Sequence, residues 1–314
     1  MSVVPDRPLP GAALAIDSRI RVPSGWKTLD RMEVGDAITS DDGAPSSVTS
    51  WRPMGPQQAY RVTLSDGRFA ECSAQHPWSV HGDGWESARK CATSELAAIL
   101  PARMLWVDLP HGHFGHDDPL PLDPWMLGAV LADGAPEEPG VDLDEGGGDA
   151  AVAVAGAATR FNVLSCALAR LGLSGLPRER EFIPDVFLNA ARRTRLAVLQ
   201  GLLDTDGKIS SVGGITLHVV SRRLATDVVE IVRSVGGWCR CDRSGQAFVL
   251  HIGHPNPRLV FRLSSKKNRF FSGCADRARI AVVSIEPTRI AETASLAVSH
   301  ASGLFLTNDY IVSH

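Results

Sequence analysis

No stretch of this 314-residue chain approaches 18 consecutive apolar residues, so the sequence holds no candidate membrane-spanning helix. The opening MSVVPDRPLPGA lacks the basic start and apolar core of a secretory leader. Cysteine is sparse. The six cysteines are scattered, and the one tight pair, Cys239-x-Cys241, is too little for a zinc ribbon or a disulfide framework. A cytoplasmic monomer with reduced thiols is expected. The net charge of −3 gives the whole chain no attraction for polyanions. What is present is an ordinary core-forming composition, 44% hydrophobic and 21% charged. The length favours two domains, or one domain carrying an insertion.

The small net charge hides a segregation. Residues 113–150 carry ten acids and no Lys or Arg, whereas residues 178–280 carry eighteen Lys/Arg against nine Asp/Glu. The first hundred residues alternate in short β-like runs, with LSDGR as an Asp-Gly hairpin signal. The middle, including DPWMLGAVLADG and IPDVFLNAARRTRLAVLQGLLDTDG, has helical spacing, and RIAVVSIEP and GLFLTNDYIVSH return to β. A β-domain interrupted by a helix-rich insertion accounts for this order.

Two helical stretches match one another. In MLGAVLADGA and LQGLLDTDGK a glycine precedes an aspartate by five residues, and the aspartate is followed by glycine. Gly134 and Gly207 read as left-handed caps, which puts Asp133 and Asp206 at helix C-termini, where the dipole disfavours an acid. Gly128 and Gly201 lie inside the helices at a cost of roughly 1 kcal/mol each, which close helix packing would offset. Packed helices would bring the two carboxylates together to hold Mg²⁺. Both stretches resemble the LAGLIDADG motif of homing endonucleases. The resemblance implies an α+β, pseudo-dimeric αββαββα domain that binds double-stranded DNA, with Asp133 and Asp206 as catalytic metal ligands. Phosphate contacts would come from Arg178, Arg180, Arg192, Arg193, Arg195, Arg222, Arg223, Lys266, Lys267 and Arg269. Two departures point to a decayed nuclease: Glu181 replaces an expected lysine before Ile-Pro, and the acidic APEEPGVDLDEGGGDA follows the first motif.

The flanks complete the pattern. LAIDSRIRVPSGWKTLDRMEVGDAI, GRFAECSAQHPWSV and the last thirty-odd residues resemble, in order, the N-terminal, T-x-x-H and C-terminal blocks of inteins, the self-splicing elements of the Hint fold. The resemblance implies a horseshoe-like all-β splicing domain built from residues 13–112 and 276–314. It would be interrupted by the endonuclease domain at 113–275 and preceded by a host remnant at 1–12. Splicing needs a side-chain nucleophile, a proton donor and an oxyanion-stabilising environment, and no cofactor. His76 takes the conserved histidine position beside the first scissile amide, with Ser73 replacing the usual threonine. His300 takes the histidine of the penultimate block, and His314 the position that assists asparagine cyclisation.

The first-residue position falls at Ala13, which has no nucleophile. Either a cysteine there has been replaced, or the chain resembles the class 3 inteins, marked by a Trp-Cys-Thr triplet. Trp78 matches the Trp, while Ser295 and Ser313 stand at the Cys and Thr positions. With Ala13 at one junction and no asparagine after His314, the chain as given is expected not to splice. RPLPGA faintly resembles the phosphate loop of a replicative DNA helicase, a candidate host. A free-standing endonuclease and a DNA-binding relic remain the alternatives.

Overall fold

The computed structural model describes residues 11–116, 118–133, 163–270 and 278–314. The N-terminal segment runs through β1 (Leu14–Ala15), β2 (Arg19–Val22), β3 (Gly25–Thr28), β4 (Ala37–Thr39), β5 (Pro45–Leu64), β6 (Phe69–Ser73), β7 (Pro77–Gly82), β8 (Arg89–Ala92), helix α1 (Thr93–Ile99) and β9 (Leu105–Asp108). After the insert come β14 (Arg279–Val298), β15 (Phe305–Thr307) and β16 (Ile311–Ser313). The two segments share their sheets. One is ordered β4-β5-β6-β1-β14-β9-β7-β8, and a second is β16-β15-β2-β3. The long strands β5 and β14 pair antiparallel from Val282 opposite Leu64 to Val298 opposite Val48. Leu14, Ile20, Val62, Trp78, Val80, Leu105, Ile280 and Phe305 fill the shared core. Alternation along the strands places these side chains on one face. The body therefore needs both chain segments to close.

The insert has its own core. It comprises α2 (Pro124–Asp133), α3 (163–170), α4 (Asp185–Leu188), α5 (Arg192–Thr205), β10 (Lys208–Ile209), β11 (Ile215–Val219), α6 (Arg222–Ser234), β12 (Trp238–Ser244), β13 (Ala247–Gly253) and α7 (Ser264–Lys267). The antiparallel sheet β10-β11-β13-β12 carries α5 and α6, an αββαββ order. Leu127, Leu199, Leu202, Leu217, Val228, Ile231 and Leu250 form a cluster separate from that of the β-body. Ser221 caps α6 by accepting from the Leu224 amide at 3.1 Å. The stretch IPDVFLNAARRTRLAVLQGLLDTDG, read as one helical run, is broken into α4 and α5. Between them Ala190 leaves the helix and bridges His116, the His116 amide donating to Asn189 O at 3.2 Å.

The Asp-Gly hairpin forms between β5 and β6, with Gly67 at φ +86°. Its aspartate is 5% exposed, unusual for a turn acid, because the insert covers it.

Candidate functional site

β1 begins one residue after Ala13 and lies between β6 and β14, with Leu14 opposite both Cys72 and Ala294. The same registers, continued by one residue, set Ala13 opposite Ser73 on one side and Ser295 on the other. The Ser73 hydroxyl accepts from the Ala13 amide at 3.1 Å and donates to Gly11 O at 2.8 Å, while the Ser73 amide donates to Ala13 O at 2.9 Å. Ala13 and Ser73 are both 1% exposed. The polar contact on the 12–13 amide nitrogen is therefore made by Ser73, where the sequence pointed to His76.

His76 faces the other end of the chain. Its Nε2 lies 2.9 Å from Ser313 Oγ at the end of β16. Burial drives the imidazole down to about 3, with the charges of His314 and Lys90 acting the same way. It is thus a neutral imidazole at physiological pH. The charge of His314 acts on His76, and a Cβ placed on Gly303 would stand 3.7 Å from His314 Nδ1. Residues 13, 73, 76, 313 and 314 thereby gather through β1, β6, β7 and β16.

Trp78 stacks edge-on to His76, with ring centroids 5.5 Å apart. Its Nε1–H donates to Thr93 Oγ1 at 3.0 Å. The same hydroxyl donates to His76 O at 3.1 Å and lies 3.2 Å from Cys72 Sγ. Burial pushes the Cys72 thiol up to about 12, so it is no thiolate nucleophile. Thr93 was not singled out from the sequence. Its one signal is Glu95, whose carboxylate accepts from the Ala92 amide and marks the start of α1. Ser295 is half-buried in β14 opposite Arg52. The structure does not bring His300 into this group. Its imidazole turns to Ser302 and Asp42, and its amide donates to Ser46.

The second candidate site is where α2 meets α5. An added Cβ on Gly128 would strike the Val198 carbonyl, and one on Gly201 would strike the Trp125 carbonyl. The glycines permit backbone-to-backbone packing, as expected. Asp206 forms the C-cap of α5. Asp133 ends α2, and Gly134 lies outside the described residues, as does the acidic stretch after it. Gly207 is not in the left-handed region. It is glycine because a side chain would meet the Leu203 backbone. A cation does stand at this helix end. Lys266 Nζ donates to Leu203 O and to Gly207 O, the latter at 2.9 Å, and lies in the field of Asp204 and Asp206.

The basic candidates divide. Arg195 is fully buried and donates to the carbonyls of Ala190, Ser234, Gly112 and Phe114. Burial lowers it to about 10, and it serves as a structural latch, not a phosphate ligand. Arg192 donates to Val235 O, and Arg269 to Ile209 O. Arg178 donates to Ala132 O at the end of α2, and Arg223 lies over the Phe182 ring. Lys267 is half-buried. Arg180, Arg193 and Arg222 are exposed. Glu181 is half-buried, and burial raises its carboxyl. Cys239 and Cys241 are free thiols, and burial pushes Cys239 up to about 12, away from the thiolate that a metal requires.

No family model matches the chain. In sequence it is similar to the replicative DNA helicase DnaB of Mycobacterium intracellulare, 25% identical over 346 aligned residues that span 99% of this chain and 59% of that protein. It is also similar to the replicative DNA helicase DnaB of Mycobacterium leprae (strain TN), 32% identical over 100 residues, 31% of this chain and 17% of that protein. The chain thus spans about three fifths of the first relative and a smaller part of the second. Among solved structures, the MchDnaB-1 intein (N145AA) is similar at 28% identity and a TM-score of 0.26, over 32% of this chain and 71% of that one. The Msm DnaB1 intein splicing domain bound with zinc is similar at 34% identity and a TM-score of 0.24, over 27% of this chain and 63% of that one. Overlays at these scores establish no shared fold. Among the described residues no helix is long and apolar enough to cross a membrane.

Proposed function

We propose that the β-body is a protein-splicing centre and that the chain is an intein set in a host protein. One observation carries this reading. The amide of Ala13 is held by Ser73 and the Ser313 hydroxyl, 300 residues on, by His76, and the two holders are joined by the His76 amide donating to Ser73 O at 3.1 Å. Excision with ligation requires both junctions at one centre, and few other functions do. Ser73 accepts from the N–H of the nitrogen that leaves when the 12–13 bond is attacked, and its own proton, which rests on Gly11 O, would turn to that nitrogen as the bond breaks. Its hydroxyl already holds that N–H, so a nucleophile at position 13 would find the leaving group engaged. A neutral His76, oriented by Thr93 through its own carbonyl, can exchange a proton with Ser313 and with the C-terminal junction beside His314. Ala13 supplies no nucleophile; with Ser73 engaged on the amide, Ser295, across the register on the β14 side, is the hydroxyl left for that role. The similarity to DnaB over 99% of the chain favours a replicative helicase as host.

The test sets the chain between two marker proteins, with asparagine and then serine after His314, the serine hydroxyl to accept the N-terminal acyl group, and with Ala13 either kept or replaced by cysteine. Ligated markers from the cysteine form, absent when His76 is replaced by Ala, are expected. A cysteine form that stays intact or only hydrolyses overturns the proposal.

For the insert we propose a LAGLIDADG-type DNA-binding domain. The glycine-mediated crossing of α2 and α5, five residues ahead of Asp133 and Asp206, supports this. Those two acids would hold Mg²⁺, which would acidify a water to supply the hydroxide for phosphodiester hydrolysis. Lys266 beside Asp206 would serve the same developing charge. Metal-dependent cutting of a DNA library, lost in Asp206→Asn, is the expected outcome, and binding without cutting identifies a relic.

A further inference from the structure

His300, left outside the splicing centre, belongs to a different cluster. The turn after β4 carries Asp41 and Asp42, and the turn after β14 carries His300 and Ser302. One ligand atom from each of Asp41, Asp42 and His300 lies within 4.8 Å of the others. Three features of this cluster point to a cation.

The first is the tautomer. Ser302 Oγ donates to Asp41 Oδ1 at 3.1 Å and lies 2.8 Å from His300 Nδ1. A hydroxyl has one proton, and Asp41 has it, so Nδ1 must be the donor to Ser302. This turns Nε2 to the Asp42 carboxylate, so that one imidazole nitrogen and two carboxylates converge on a point where a cation can sit. The carboxylate–hydroxyl–imidazole chain is the kind of outer shell that fixes a metal-binding histidine.

The second is the separation. His300 Nε2 and Asp42 Oδ2 stand 3.4 Å apart. A charge-assisted hydrogen bond closes to about 2.7–2.9 Å. Two ligands each about 2.0–2.1 Å from a tetrahedral Zn²⁺ stand roughly 3.4 Å apart.

The third is anchoring. Asp42 Oδ1 is engaged by the Ala44 amide at 2.8 Å and by Ser40 Oγ at 2.7 Å, which leaves Oδ2 turned toward the histidine. The His300 side chain is 20% exposed and that of Asp42 41%, an open edge that leaves room for water as the fourth ligand.

We propose that Asp41, Asp42 and His300 form a Zn²⁺ site that clamps the turn after β4 to the turn after β14. An imidazole in the ligand set selects a borderline cation over Mg²⁺ or Ca²⁺. The clamp joins the N-terminal and C-terminal segments of the β-body. It also fixes the strip leading into the insert, because the His111 amide donates to Asp41 O at 3.0 Å and Gly43 packs on the His113 backbone. The site does not depend on the splicing reading, since it shares no residue with the Ser73–His76–Ser313 group.

The experiment titrates the metal-free full chain with Zn²⁺ against a chromophoric chelator, with excess Mg²⁺ present. One tight equivalent is expected in the native chain. Loss of an outer-shell partner already costs about 10–100-fold. His300→Gln and Asp42→Asn should therefore each weaken that equivalent by at least about tenfold, with Ser302→Ala weakening it less. Both ligand variants keep a hydrogen-bonding group, and circular dichroism checks their fold. Co²⁺ in place of Zn²⁺ should show no thiolate charge-transfer band, which separates this site from the exposed cysteines. No uptake, uptake unchanged in both variants, displacement by Mg²⁺ or a thiolate band overturns the proposal.

Discussion

Asp66 and Arg233 form an ion pair, Oδ2 to Nε 3.3 Å, that joins the β5–β6 hairpin of the β-body to α6 of the insert. Arg68 completes it. Its guanidinium donates to Asp66 Oδ2 at 2.8 Å, to Gly237 O at 3.2 Å, and to Asp309 O and Tyr310 O at 3.3 Å. The Asp66 and Arg68 side chains are each 1% exposed. Burial works against the carboxylate, but Arg68 and Arg233 hold it below the usual range.

Asp66→Asn leaves two guanidinium groups with only the exposed Asp309 carboxylate, 3.6 Å from Arg233, as counter-charge. Breaking a buried pair from one side costs about 3–5 kcal/mol. Urea unfolding should show a loss of that order, larger than for an exposed pair such as Arg240–Asp242.

Gly128→Ala and Gly201→Ala each push a methyl into the facing helix backbone. Overpacking of this kind costs about 1–3 kcal/mol, and here it outweighs the gain in helix propensity. Each substitution should lower the thermal midpoint, and the pair together should cost less than the sum because the first already separates the helices.

Arg195→Ala strips four buried carbonyls of their donor, so it should destabilise the insert by about 1–3 kcal/mol or more. If the insert binds DNA, Arg222→Ala on the exposed face of α6 should leave stability alone and reduce the salt dependence of DNA binding by about one unit of slope. Urea unfolding and a salt titration read the two effects separately.

Two buried groups tilt the pH profile in opposite directions. The unfolded chain protonates His76 at its ordinary 6.5, whereas the folded chain resists down to about 3. Stability therefore falls as pH drops through that window, and His76→Gln should flatten the fall. Burial raises Asp227 from 3.8 to about 6. There the folded state holds the extra proton, so stability falls as pH rises from 3.8 toward 6. Asp227→Asn, which can still accept from the Ile183 amide, should remove that slope. Unfolding curves at stepped pH check both signs.

Ser73→Ala in the cysteine-13 form should slow loss of the N-terminal flank by about 10²-fold or more, the usual scale for positioned proton transfer. A time course on a gel reads it, and an unchanged rate removes Ser73 from the mechanism.

Period and punctuation made the interrupted β-body and the close-packed glycine helices legible. Both depend on local patterns: alternation in strands, and Gly at helical spacing. The division of labour between Ser73 and His76 was not legible, because it depends on how β6 and β7 diverge after Ser73. Nor was Arg195 distinguishable from Arg192 and Arg193. All three lie in one basic run, and only the rotation of α5 turns one inward. His300 was assigned by resemblance to an intein block, which does not fix which way its side chain turns. The turn that follows swings it to Asp42 and leaves Gly303 beside His314.

Asn308, Asp309 and Tyr310 hold φ of 24°, 58° and 66°, three non-glycine residues in succession in the left-handed region. Each such residue costs on the order of 1 kcal/mol or more, so the turn persists only where its surroundings enforce it. The enforcers are Arg19 and Arg68 from one domain, and Arg233 and Glu230 from the other, the last at 3.2 Å from the Tyr310 hydroxyl. The insert is therefore no passenger. A lineage shedding it by deletion would lose half of that enforcement and uncover the buried Asp66–Arg68 pair. Relaxation at positions 68 and 308–310 would have to come first, which makes the route to a smaller element a sequence of ordered steps.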